Sequence, residues 1–175
     1  MLYVVCGYPA AGKSTYCRTV VMNDPDAIVF DMDAMRAAMT GRSEPHAERM
    51  TRSIGRMLND TAHRIEATFT EYGIRDLYLI RMVPTDDEMI DYIQRDDVRV
   101  LLLNTPKEVC LARAQQRGDF DLYAFGKACG RVDRFRRTFP GEFVEVSPLS
   151  LPLVFEVRRA GQLEHFPTTR MWETF

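Results

Sequence analysis

Residues 7–14 read Gly-Tyr-Pro-Ala-Ala-Gly-Lys-Ser, and they follow directly on a continuous apolar run, Leu2–Cys6. The spacing G-x-x-x-x-G-K-S demands a strand that stops short, a loop whose backbone N–H groups turn inward, and a helix that opens at the lysine. An apolar run without alternation is the pattern of a strand buried on both faces. Such a strand needs a helical layer on each side of its sheet, so the opening of the chain already points to an α/β sandwich.

The rest of the chain alternates in keeping with this. Lys13 to about Met22 has helical spacing at Cys17, Val20 and Val21 and stops at Asn23-Asp24-Pro25; Ala27–Phe30 reads as a second buried strand. A short helix from Asp33 to about Met39 is ended by Thr40-Gly41. Ser43, with Pro45 in the first turn, is expected to cap a longer helix whose buried stripe is Met50, Ile54, Met57, Leu58, Ile65, Phe69 and Tyr72, with Gly73 closing it. Leu77–Ile80 and Val98–Leu103 are further strands. Two capping boxes, Thr85-Asp86-Asp87-Glu88 and Thr105-Pro106-Lys107-Glu108, open the helices beside them. The second of these helices carries Arg113 and Arg117 and ends at Gly118. A loop over Asp119–Gly126, a helix to about Thr138, a break at Pro140-Gly141 and a strand over Phe143–Val146 follow. Leu153–Val157 and Leu163–Phe166, around Ala160-Gly161, read as a C-terminal hairpin. The 175 residues suit a single domain, 1–175, with a sheet that is mainly parallel. Ligands of such sheets sit beyond the carboxyl ends of the strands.

Composition narrows the function classes. Cys6, Cys17, Cys110 and Cys129 are scattered without C-x-x-C spacing, which argues against a zinc site or a disulfide framework and for small buried side chains. A net charge of −2 does not suit a protein that coats nucleic acid. Yet Lys107–Arg137 holds eight basic residues against four acidic ones, a local patch suited to a phosphate-bearing ligand. No apolar run is long enough to span a bilayer, and Met1–Cys6 lacks a basic leader, so the expected location is the cytoplasm, away from the membrane.

The chemistry-bearing residues lie after the strands. Gly7, Ala10, Ala11, Gly12, Lys13, Ser14 and Thr15 would surround the phosphates of a nucleoside triphosphate, ATP or GTP, at the positive end of a helix. Lys13 supplies a full charge for the β- and γ-phosphates, and the Ser14 hydroxyl can ligate Mg²⁺. After the second strand come Asp31 and Asp33. One carboxylate can hold metal or its water, and the other can take the proton of an acceptor hydroxyl. The alternative that both are simple helix N-caps stays open behind that reading. Arg36 shares a helix face with Asp33 and could orient it or hold an acceptor phosphate. Arg113 and Arg117, spaced i, i+4, would neutralise charge on a moving phosphoryl group from a lid over about 117–126; alone, they would read as a solvated basic face. Val29-Phe30-Asp31-Met32-Asp33 also resembles the nucleophile strand of haloacid-dehalogenase-type phosphatases. That family places Gly and then Thr or Val after the second Asp, where Ala34 and Met35 stand, and carries the motif on its first strand.

Taken together, Gly7–Thr15, Asp33-Ala34-Met35-Arg36 and Arg113-Ala114-Gln115-Gln116-Arg117-Gly118 resemble a phage polynucleotide 5′-kinase domain over roughly residues 1–140. The resemblance implies a three-layer P-loop NTPase fold of the nucleotide-kinase type and transfer of the γ-phosphate of ATP to a 5′-hydroxyl. Asp33 would be the base, Arg36 would place the acceptor, and Arg117 would belong to the lid. The acceptor would be a nucleic-acid end or a small phosphate-bearing molecule. The chain departs from that family in two places. Arg81, in Leu79-Ile80-Arg81-Met82, stands where the family carries an Asp, and residues 141–175 have no counterpart. P-loop kinases of nucleosides, nucleotides or modified bases, zeta-toxin-like kinases, and a non-catalytic nucleotide-binding module stay open.

Overall fold

Leu2–Cys6 forms strand β1, and all five of its residues are buried. Each such Val or Leu side chain contributes ~1.5–3 kcal/mol, which fixes the strand from which the Gly-rich loop departs. A computed structural model of the chain describes residues 1–41, 48–117 and 121–148, with side chains from residue 53 onward in the long third helix. The order is β1, α1 (Lys13–Met22), β2 (Ala27–Asp31), α2 (Met32–Thr40), α3 (Glu48–Thr68), β3 (Asp76–Ile80), α4 (Asp86–Ile93), β4 (Val98–Leu103), α5 (Lys107–Gln116), α6 (Leu122–Thr138) and β5 (Val144–Val146).

The five strands form one sheet in the order β2-β3-β1-β4-β5, and every pairing is parallel. Helices supply the two outer layers, as the buried strands require. β1 lies at the centre, with Val5 opposite Ile80 on one side and Cys6 opposite Leu102 on the other. β2 and β3 lie on one side of β1 and β4 and β5 on the other, so connections leave in opposite directions and the crevice at its carboxyl end is a switch point. On the neighbouring pair Asp31 stands opposite Ile80, which brings the end of β2 to the same edge as the loop after β1.

Several expectations shift in the structure. Met57 and Tyr72 are exposed, and the buried positions of α3 and the turn that follows it are Leu58, Ala62, Glu66 and Phe69. Residues Phe69–Tyr72 tighten into a 3-10 turn, which rotates Tyr72 off the α-helical stripe before Gly73 ends it at φ +73°. α5 opens on Pro106 with no side-chain cap; the Thr105 hydroxyl is used elsewhere. α6 begins at Leu122, because Asp121 accepts hydrogen bonds from the N–H groups of Tyr123 and Ala124. Leu122–Gly126 are therefore the opening turns of α6, and residues 118–120 of the expected lid lie outside the described residues. So do the Ser43–Pro45 cap and the C-terminal hairpin. All four cysteines are buried and free, and burial pushes the Cys6 thiol up to about 12, which makes it inert. No helix among the described residues is long and apolar enough to cross a membrane.

Candidate active site

The loop after β1 is held open by its own backbone. Gly7 has φ +145°, and a Cβ there would lie 3.3 Å from the Leu103 carbonyl oxygen of β4. Its N–H donates to the Met82 carbonyl at 3.1 Å, so the loop is tied to the segment after β3 as it leaves, close against β4. Ala10 takes φ +60°, a left-handed conformation that costs a non-glycine residue ~1–2 kcal/mol and persists where the surroundings impose it. Gly12 follows at φ +95° as the N-cap of α1, and no side chain caps that helix. The first-turn N–H groups and the helix dipole are left to an anion, which is the fit a nucleotide phosphate requires.

Lys13 folds over this loop. Its Nζ donates to the carbonyls of Gly7 at 3.0 Å and Tyr8 at 2.9 Å. Burial pulls the ammonium below the usual lysine value, while the neighbouring charges of Asp33 and Asp31 oppose that shift. Thr105, at the end of β4, donates its buried hydroxyl to the Ala11 carbonyl at 2.8 Å and pins the loop from the other side. Tyr8 reaches α6, where its hydroxyl donates to Asp133; the Arg136 guanidinium lies 5.7 Å from the centre of its ring.

α1 leans from β1 across to β2, and this brings Ser14 to Asp31: the hydroxyl donates to Oδ2 at 2.6 Å. The other oxygen of Asp31 accepts from the N–H groups of Asp33 at 3.0 Å and Ala34 at 3.3 Å, capping α2. Asp31 thus caps a helix and touches the phosphate loop at once. Asp33 sits in the first turn of α2 with its side chain 84% exposed, and Arg36 Nη2 holds its carboxylate at 2.5 Å. Arg113 comes to the loop from α5: its Nη1 lies 3.8 Å from where a Cβ on Gly12 would stand. Arg117 is the exposed C-cap of α5, one turn beyond Arg113, and Thr15 is exposed on α1.

The structure therefore gathers Gly7, Gly12, Lys13, Ser14, Asp31, Asp33, Arg36 and Arg113 at one edge of the sheet. It leaves Arg117 and Thr15 outside the described contacts. It adds Tyr8 and Thr105, to which the sequence assigned no role in the site, and Arg81, which stood out only as a departure from the resembled family. For Thr105 and Arg81 a signal was present, since each closely follows a strand. Arg81 is nearly buried and its Nη1 lies 2.8 Å from Glu88 Oε1.

A parallel five-stranded sheet with this loop after its central strand is the fold of the P-loop kinases. The chain belongs to the family described as AAA domain, whose model matches residues 2–140. No curated protein sequence matches it. Solved structures share its fold at low identity. A chain of the Pnkp1/Rnl/Hen1 RNA repair complex is similar at 16% identity and TM-score 0.60 over 81% of this chain and 46% of that one, so this chain spans about half of its length. Shikimate kinase from Aquifex aeolicus is similar at 16% identity and TM-score 0.54, covering 90% of this chain and 93% of that chain. Deoxyadenosine kinase from M. mycoides is similar at 12% identity and TM-score 0.50, covering 84% and 89%.

Proposed function

We propose that this chain transfers the γ-phosphoryl group of ATP, or GTP, to a hydroxyl of a nucleic-acid 5′ end or a nucleotide-like acceptor. The observation that carries the reading is the Ser14–Asp31 hydrogen bond of 2.6 Å, which joins the phosphate loop to the strand end bearing Asp33. Donor and acceptor groups are thereby fixed relative to one another, and this positioning is most of what phosphoryl transfer asks of a protein.

The N–H groups of Gly12, Lys13 and Ser14 and the Lys13 ammonium hold the β- and γ-phosphates. Ser14 and Asp31 offer hard oxygen donors beside them, a set that fits Mg²⁺, which keeps few protein ligands and takes the rest from phosphate and water. When bound, the ion neutralises phosphate charge. Asp33 accepts the proton of the acceptor hydroxyl as its oxygen attacks the γ-phosphorus. The bond from that phosphorus to the β–γ bridging oxygen breaks, and the nucleoside diphosphate leaves with the electron pair. Arg36 holds the Asp33 carboxylate in place, and Arg113 faces the developing charge from the opposite side of the loop. Arg117 would join it from the lid.

The resemblance of the motifs and the fold shared with a chain of an RNA repair complex support a nucleic-acid end as acceptor. A transfer assay with γ-labelled ATP across 5′-hydroxyl oligonucleotides, nucleosides and nucleoside monophosphates tests this, with label expected on the oligonucleotide. Asp33→Asn is expected to lower kcat by ~10²–10⁴-fold, the usual weight of a general base. Full activity of that variant would remove Asp33 from the role, and tight ATP binding without transfer to any acceptor would return the chain to a non-catalytic module.

A further inference from the structure

Arg81 directly follows β3, the strand that lies between β2, with Asp31 at its end, and β1, with the phosphate loop at its end. Its backbone is tied to β1 and to the loop that follows it. The Arg81 N–H donates to the Val5 carbonyl at 3.1 Å, and the Met82 carbonyl takes the Gly7 N–H at 3.1 Å. The side chain is only 10% exposed, and Nη1 meets Glu88 Oε1 at 2.8 Å. Glu88 has no second oxygen to offer, because Oε2 accepts from the Thr85 N–H at 2.7 Å and the Thr85 hydroxyl at 3.0 Å. Glu66, the other carboxylate near Arg81 on this face, is taken up by the Tyr92 hydroxyl at 3.1 Å and Arg95 at 3.3 Å.

The guanidinium is therefore gripped at one end. Its other two nitrogens, Nε and Nη2, are buried and have no hydrogen-bond partner among the described residues. These two share one edge of the planar group, the edge whose parallel N–H bonds match both oxygens of a carboxylate or phosphate. A salt bridge serving only to hold α4 would need Nη1 alone. Burying two further charged donors destabilises the fold and so asks for a partner that arrives from outside.

We infer that Arg81 is an acceptor-binding residue that takes an oxyanion carried by the acceptor, placing the acceptor's hydroxyl between Asp33 and the phosphate loop. This rests on the kinase reading above and sharpens it: the acceptor bears a phosphate or carboxylate near the hydroxyl that is phosphorylated, and a neutral acceptor is a poor substrate. Lys cannot replace Arg81, since a point charge lacks the two-pronged edge.

Two measurements test this. In the first, the wild-type protein, its loop filled with ADP and Mg²⁺, is titrated with inorganic phosphate or with acetate while arginine Nε resonances are followed by nitrogen-15 NMR. The Nε signal that is missing in Arg81→Lys is expected to shift and saturate; no saturable shift with either anion would overturn the inference. In the second, transfer is compared for a nucleoside 3′-monophosphate against its nucleoside, and for a hydroxy acid against the matching alcohol. Arg81→Lys is expected to raise KM for the charged member of the pair that serves by ~10–100-fold, and to narrow the gap in KM between the charged and the neutral member by the same factor. The pair that responds names phosphate or carboxylate as the anchor. Equal use of charged and neutral acceptors by the wild type would sink the inference and leave the kinase reading intact. An Nε shift without transfer to any acceptor would do the reverse.

Discussion

Asp31 has two jobs that substitution can separate. Oδ1 caps α2 through two N–H groups, at 3.0 and 3.3 Å, and Oδ2 takes the Ser14 hydroxyl at 2.6 Å. Asn is as good an N-cap as Asp, so Asp31→Asn keeps the first contact and changes stability by less than ~0.5 kcal/mol. It places an NH₂ group opposite Ser14, which must then accept a hydrogen bond with the lone pair it would turn toward Mg²⁺. Loss of the carboxylate charge and of that lone pair from the Mg²⁺ position should weaken the Mg²⁺-dependent affinity for ATP by ~10–100-fold. Asp31→Ala loses the cap as well. No residue of α2 is fully buried, so packing does not compensate; the cap is worth ~1 kcal/mol, or a Tm lower by ~2–4 °C in a chain of this size. The assay is thermal unfolding without nucleotide, followed by ATP titration with and without Mg²⁺. Both variants should lose affinity alike, and only the alanine should lose Tm. If Asp31→Asn bound Mg²⁺ and ATP as the wild type does, Asp31 would be a helix cap and nothing more.

Two further outcomes follow from the same geometry. Arg113 stands at the loop in the free protein and Arg117 does not, so Arg113→Ala should weaken ATP binding by ~10-fold. Arg117→Ala should leave the dissociation constant within ~2-fold and show its effect in kcat; equal losses of binding affinity would reverse this assignment. The Glu66 carboxyl is held above the usual carboxylate value, chiefly by burial, with its bond to Tyr92 and the nearby arginines opposing. A folded-state value above the unfolded one gives stability that is present at low pH and lost as pH rises through the raised value. Glu66→Gln should therefore gain on the wild type in unfolding free energy as pH rises above the ordinary carboxylate value of about 4.3; a difference independent of pH would refute the burial argument.

What could be read from the sequence was local. Gly7–Ser14 announces its own conformation, because only glycine tolerates φ +145° and φ +95° at those two positions without strain. Thr85–Glu88 forms the capping box that its spacing predicts. Thr105–Glu108 has the same spacing and does not, since the Thr105 hydroxyl finds the Ala11 carbonyl, 94 residues away in sequence. Nothing within four residues could distinguish the two boxes. The Tyr8–Asp133 bond spans 125 residues and left no mark at all, and the burial of Arg81 depends on Glu88 already being in place.

A positional rule did carry information across these distances. Asp31 ends β2, Arg81 follows β3 and Thr105 follows β4, and parallel strands deliver all three to the edge where the loop after β1 begins. Asp31 and Thr105 touch that loop, through Ser14 and Ala11. The backbone at Arg81 and Met82 braces it, through the Val5 carbonyl and the Gly7 N–H, and the Arg81 side chain turns to Glu88. Three residue types with three chemistries thus converge because strand direction, not residue pattern, decides where they meet. An acid at the end of β3 would have joined Asp31 in repelling an anionic acceptor. On the proposed reading, an arginine there would give the acceptor side a fixed positive group, as Lys13 in the first turn of α1 would give the donor side.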